Sequence, residues 1–159
     1  KKILEARKES KIITFSNNVE MAEALENGNN VFTGKTAKKK GRVMIEDFIS
    51  GNIKTIHSCK RLDEGFDVPD ASVAIILGFD SSEIKSTQRR GRVVRKFGDK
   101  TAEIFYIVIK DTQETKWFSN AHSTDKNYIT IDEQGLEKVL NGQQPEEYKS
   151  KIKELKFRF

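Results

Sequence analysis

The feature that most constrains this chain is an alternation of two kinds of segment. Short, apolar, β-branched runs take turns with longer stretches in which apolar residues recur every three or four positions. KIITFS (11–16), NVFT (30–33), TIHSC (55–59), SVAIILG (72–78) and AEIFYIVI (102–109) read as strands. Between them, VEMAEALENG (19–28), AKKKGRVMIEDFISG (37–51) and SSEIKSTQRRGRVVRKFG (81–98) read as helices that end at glycines. In the second helix Val43, Ile45, Phe48 and Ile49 supply an apolar face. The strand runs are nearly continuous in apolar residues, so both of their faces need cover. Strand–helix–strand order with such strands predicts an α/β fold, a parallel sheet flanked by helices on both faces.

After residue 110 the pattern loosens. TQETKWFSNA (112–121) reads as a helix, YITID (128–132) as a short strand, and EQGLEKVLNG (133–142) as a helix stopped by Gly142. Pro145 opens a terminal helix, lysine-rich and amphipathic, with Ile152, Leu155 and Phe159 on one stripe. Residues 1–110 are expected to form the core, and 111–159 a helical C-terminal extension packed on it. The 159 residues suit one ordinary domain with a real hydrophobic core. No apolar run approaches the ~20 residues that span a bilayer, and the N-terminus has no secretory pattern. The first residue is Lys1 rather than Met, which suggests a piece of a longer chain.

One cysteine, Cys59, excludes an internal disulfide, and with His57 and His122 it makes a poor zinc set. No metal site is expected in this chain, and a cytoplasmic, reducing setting is. The net charge of +5 is clustered. Lys35, Lys38, Lys39, Lys40 and Arg42 form one group; Arg89, Arg90, Arg92, Arg95 and Lys96 a second; Lys149, Lys151, Lys153, Lys156 and Arg158 a third. Such clusters suit polyanions. For the third, a solvated helix face is the better reading.

Gly34-Lys35-Thr36 looks like the end of a P-loop. The full motif needs a first glycine five positions before Gly34, between a strand and a helix. That position is Asn29, and Gly28 is one residue too early. The intervening residues also read as a strand rather than a phosphate-cradling loop. ITIDE (129–133) imitates the Asp-Glu strand that holds Mg²⁺ in P-loop enzymes, but Asp132 reads better as an N-cap of the next helix. A free-standing P-loop ATPase therefore fails on glycine spacing.

QRRGRVVR (88–95) carries more. On a helix Gln88, Gly91, Arg92 and Arg95 share one face, which offers two guanidiniums, an amide and room for close approach. Two arginines on one face suit a polyphosphate. A solvated basic helix face is the alternative, and from this stretch alone both stand.

QRRGRVVR resembles motif VI, Q-x-x-G-R-x-x-R, of superfamily-two helicases. IITFSNNVE (12–20) resembles their motif IV. SCKRLDEGFDVPDASVAIILG (58–78), with its core Glu64-Gly65-Phe66-Asp67-Val68-Pro69, resembles motif V. VFTGKT, followed by a helix carrying Arg42 and ending FISGNIKTI, resembles the family's F-x-x-G segment. The resemblance spans roughly residues 10–110, and three motifs in order at family spacing make it specific. It implies a RecA-like second motor domain. Its partner in the parent chain, an N-terminal RecA-like domain, would hold most of the ATP and Mg²⁺. By position, Arg92 and Arg95 would reach the ATP γ-phosphate, and Gln88 would bridge to the partner domain's catalytic groups. Gly65, Asp67 and Gly91 would line the nucleotide cleft. Ser16, Asn17, Thr33, Gly34, Lys35 and Ser58 would face the nucleic acid, and GKT would be a coincidental string.

The chain departs from the family at two places. Cys59 stands where many relatives have Thr, and Cys is a poor phosphate donor. Val93-Val94 precedes the last arginine where RNA helicases usually have Gly, which points to DNA rather than RNA. The expected function is the C-terminal motor domain of an ATP-dependent helicase or translocase, inactive as an isolated ATPase. The alternative is a RecA-like module that binds nucleic acid or a partner without catalysis. Such a module would have no use for Gln88, Arg92, Arg95 and Asp67 together.

Overall fold

The computed structural model describes residues 1–25, 29–59, 71–78, 102–122 and 128–144. The expected helix over 81–98, the Gly28 stop and the terminal helix from Pro145 lie outside the described residues, as do the second and third basic clusters.

Five of the six expected strands are present; the third matches its expected bounds and the other four are one to three residues shorter. They are β1 (Ile12–Ser16), β2 (Val31–Thr33), β3 (Thr55–Cys59), β4 (Val73–Leu77) and β5 (Glu103–Ile107). They form one parallel sheet in the order β2-β3-β1-β4-β5. β1 lies at its centre, where Ile12 pairs with Thr55 and Val73, and Ser16 with Cys59 and Leu77. All five residues of β1 are buried, as the continuous apolar run requires.

Side chains alternate across a sheet, so register sorts them into two faces. One face carries Ile13, Phe15, Phe32, Ile56, Ala74 and Ile76, which join one core cluster with Met44, Ile45 and Phe48. Those three belong to α3 (Lys38–Ser50). The other face is more polar and includes Thr14, Ser16, Thr33, His57 and Cys59, all buried. There Thr14 Oγ1 and His57 Nδ1 lie 2.9 Å apart, so one hydrogen bond joins a fully buried pair on adjacent strands. The chain runs from β1 past β3 to β2, then back to β3. Right-handed crossovers in opposite directions place their helices on opposite faces. α3 accordingly covers the apolar face, and α2 (Val19–Glu23), with Ala22 fully buried, packs on β1, β2 and β3.

The inward stripe of α3 differs from the expected one. Gly41, Met44, Ile45 and Phe48 are buried, at i, i+3, i+4 and i+7. Val43 and Ile49, expected inside, are 48% and 45% exposed. Gly41 has no side chain, so hydrophobicity alone could not mark it as part of the stripe. A β-carbon there would lie 2.5 Å from Cε2 of the Phe32 ring, so the helix seats this closely on β2 because the position is a glycine. Gly51 ends α3 as expected, with φ of 87° in the left-handed region.

Three further differences are local. α1 (Lys2–Ala6) has no counterpart in the sequence reading, because one turn with two buried residues, Ile3 and Leu4, shows no periodicity. α2 closes at Glu23, earlier than the expected 19–28. Residues 128–132 are irregular rather than a strand. Tyr128 and Ile129 are exposed there, and Asp132 is committed to capping, so the run buries too little for a strand.

α4 (Gln113–Ala121) packs Phe118 edge-on against Tyr106 of β5, with ring centroids 5.4 Å apart. The chain divides into two compact units, Lys1–Thr124 and Asp125–Phe159. The second contains α5 (Glu133–Leu140), where Asp132 Oδ1 accepts from the Gly135 N–H at 2.8 Å as an N-cap. Among the described residues no helix is long and apolar enough to cross a membrane.

Candidate nucleic-acid interface

Because the strands are parallel, their carboxyl ends share one edge of the sheet. The chain leaves β1, β2, β3 and β4 at that edge. This brings Ser16, Asn17, Thr33, Gly34, Lys35 and Ser58 to one edge, from three separate parts of the sequence.

These six residues divide by burial. Ser16 and Ser58 are each 1% exposed, and Thr33 is buried. The Ser16 hydroxyl lies 3.0 Å from the Asn18 carbonyl and 3.2 Å from the Ser58 carbonyl, so it ties the β1 loop to β3. Asn18 caps α2, its Oδ1 accepting from the Met21 N–H at 2.7 Å. Asn17 is half-buried, and Gly34 and Lys35 are exposed.

The loop after β2 closes on itself. The Thr33 N–H donates to Thr36 Oγ1 at 2.9 Å, and the Lys35 N–H donates to Thr33 Oγ1 at 3.2 Å. The Thr36 N–H donates to the Thr33 carbonyl at 3.0 Å. A P-loop must instead aim its backbone N–H groups and Thr hydroxyl at phosphate and Mg²⁺. Here those groups are used within the turn, and a strand fills the place of the glycine loop. Gly34-Lys35-Thr36 does not fit a nucleotide phosphate.

What the loop does present is charge. Lys35, Lys38, Lys39, Lys40 and Arg42 are all exposed. A shallow depression of about 290 Å³ lies beside them, lined by Glu23, Val31, Thr33, Lys35, Thr36, Ala37 and Lys40. The first turn of α3 has no acidic residue and no side-chain cap. Its three lysines oppose the helix dipole, an arrangement that a bound anion relieves.

The residues assigned to ATP, namely Gly65, Asp67, Gln88, Gly91, Arg92 and Arg95, lie outside the described residues. Among the described residues, no group of three or more His, Cys, Asp or Glu could hold a metal ion. Two positions at this edge escaped the sequence reading, Gly41 and Gly78. Each leaves a trace, since a glycine inside a helix or at a strand end usually marks a close approach.

Comparison with known proteins adds the family. The model of the helicase conserved C-terminal domain matches residues 1–97. The chain belongs to that family. It is a superfamily-two helicase C-terminal domain. The DNA 3'-5' translocase XPB2 of Sulfurisphaera tokodaii is 35% identical over 116 residues, 72% of this chain and 26% of the translocase. The DNA 3'-5' helicase XPB of Kineococcus radiotolerans is 35% identical over 86 residues, 53% of this chain and 15% of the helicase. The chain thus spans about a quarter or less of these relatives' length. Among solved structures, the C-terminal domain of the DEAD-box protein Dbp5 superposes with a TM-score of 0.67 at 20% identity. It covers 84% of this chain, and the chain covers 82% of it. That likeness establishes the RecA-like fold of this helicase C-terminal domain.

Proposed function

We propose that this chain is the second motor domain of an ATP-dependent helicase or translocase that acts on DNA, with residues 1–110 as the motor core. The observation that carries the reading is the family match over residues 1–97 on a sheet whose carboxyl edge gathers the predicted contacts. The Val93-Val94 pair and relatives named as DNA enzymes favour DNA over RNA.

In this reading Asn17, Gly34 and Lys35 meet the sugar–phosphate backbone directly. Ser16, Thr33 and Ser58, being buried, act through the loops they fasten. Contacts of this kind position a strand without reading its bases. ATP with Mg²⁺, held mainly by an N-terminal RecA-like domain of the parent chain, supplies the phosphoryl chemistry when bound. Arg92 and Arg95 offset charge on the phosphates, Gln88 orients the reacting groups, and Gly65, Asp67 and Gly91 shape the cleft wall. Alone, the chain hydrolyses no ATP at a meaningful rate. The buried free thiol of Cys59 is at home in a reducing, cytoplasmic setting.

The test uses the two-domain parent. Arg92→Ala or Arg95→Ala is expected to cut kcat for ATP hydrolysis by about 10³–10⁵, the usual worth of an arginine finger, with folding intact. Lysine should rescue poorly, since it lacks the planar fork. Arg89→Ala, off the face that those arginines would share on a helix, is the control and should be mild. If all three variants hydrolyse ATP like the parent, the motor reading fails and the non-catalytic binding module takes its place.

A further inference from the structure

β1 and β4 are neighbours whose chains leave in opposite directions. From β1 the chain passes β3 to reach β2, and from β4 it passes outward to β5. Divergent exits open a crevice at the carboxyl ends of the two strands, which is where open α/β sheets take their ligands. Asn17 follows β1 and Gly78 follows β4, and the pairing of Ser16 with Leu77 sets them side by side. Gly78 has φ of 79°. A β-carbon built on it would lie 3.0 Å from Asn17 Nδ2 and 3.4 Å from Asn17 Cγ. Glycine is therefore favoured twice at this position. The left-handed backbone concerns folding, whereas the missing β-carbon concerns where the Asn17 carboxamide can lie.

We propose that Gly78 is a positioning residue for nucleic-acid binding: its bare backbone lets the Asn17 carboxamide rest against the end of β4, in the crevice. The inference rests on the reading above, in which Asn17 contacts the sugar–phosphate backbone. An amide offers two N–H donors and a carbonyl acceptor, which suit phosphate oxygens and sugar oxygens of any sequence. A side chain at position 78 displaces the carboxamide by tenths of an ångström or turns it to another rotamer. Either change spoils a hydrogen bond whose useful range spans only about half an ångström.

The experiment is a double-mutant cycle on the 159-residue chain. Binding of a labelled single-stranded oligothymidylate is read by fluorescence anisotropy, and thermal melts are read in parallel. Asn17→Ala is expected to weaken binding about five-fold, the worth of one neutral hydrogen bond. Gly78→Ala should weaken it similarly, and the double variant no further than Asn17→Ala alone. In the melts Gly78→Ala should lower Tm even in the Asn17→Ala background, because the backbone strain does not involve the amide. Gly78→Asn adds the same β-carbon with little strain, since Asn tolerates positive φ. It should weaken binding while costing less in Tm, and it keeps the test open if Gly78→Ala does not fold. Additive binding losses, or a Gly78→Asn chain that binds like the wild type, overturn the inference and leave the nucleic-acid reading standing. Wild-type affinity in Asn17→Ala overturns it along with the Asn17 contact. A wild-type chain that binds no oligothymidylate removes the nucleic-acid reading itself, and the inference with it.

Discussion

The two ends of the sheet are fastened by different physics. At the amino-terminal end the fastenings are long-range and charged. The Arg7 guanidinium donates from Nε to Glu103 Oε2 at 2.7 Å and from Nη2 to Glu103 Oε1 at 3.1 Å, joining the end of α1 to the start of β5. Lys54 Nζ sits 2.6 Å from Glu9 Oε2, and Lys11 Nζ donates to the Ile49 carbonyl at 2.7 Å. At the carboxyl end the described fastenings are short turns and close packing: the Thr33–Thr36 turn, the Ser16 hydroxyl, Gly41 against Phe32 and Gly78 beside Asn17. The lysines there are left at the surface. One end uses its charges to hold the fold, and the other displays them. This suits a domain in which one edge stabilises and the opposite edge binds.

The sharpest way to break this contrast is Gly41→Ala. Alanine is the better helix former by about 1 kcal/mol. Its β-carbon nevertheless meets the buried Phe32 ring, and overpacking typically costs about 1–3 kcal/mol. A net loss of stability in chemical denaturation is expected, relieved in part by Phe32→Leu. A Gly41→Ala chain more stable than the wild type would mean that packing does not fasten the carboxyl end.

Next in size is Arg7→Ala. Its ion pair is bidentate, but the two side chains are 19% and 42% exposed, so solvent screening trims its worth to about 0.5–1 kcal/mol. The loss should shrink in high salt, and DNA affinity should not change. If binding falls with stability, the two ends are not separate in function.

Lys35→Ala inverts that pattern. An exposed lysine should leave stability within about 0.5 kcal/mol of the wild type. The log–log salt dependence of single-stranded DNA binding should lose about 0.7 in slope, one phosphate contact. An unchanged slope would take Lys35 out of the interface.

The smallest effect is expected at Glu9. Lys54 holds the Glu9 carboxyl below its ordinary value, by a hydrogen bond first and by its charge second. A carboxylate depressed in this way stabilises the fold above its unfolded-state pKa and loses that contribution as pH falls through the lower folded value. Glu9→Gln should remove this acid-side dependence and leave neutral-pH behaviour nearly unchanged, because Glu9 is fully exposed. A large shift in acid denaturation would mean that the pair carries more than its exposure allows.

Much of this was legible in the residues. Each strand is a compact run whose apolar, β-branched character is decided within four to eight positions, and all five strands fall where those runs lie. Gly51 and Asp132 act as the stop and the cap that their types announce. The rejection of Gly34-Lys35-Thr36 as a P-loop needed only glycine spacing, and the hydrogen bonds of the turn agree with it. Less legible was the candidate site. The resemblance has Ser16 and Ser58 facing nucleic acid, yet neighbouring strands bury both.

What the sequence determined by itself was local: which segments are strands, where helices stop, and which loops carry family-like residues. Periodicity and capping act over a few neighbouring residues, so they can be read along the chain. The tertiary structure decided which side of α3 turns inward, why Gly41 must be bare, and that Asn17 and Gly78 meet. Those facts depend on strand order and register between segments far apart in the chain. A close approach leaves only a glycine as its trace, and a glycine does not say what comes near it.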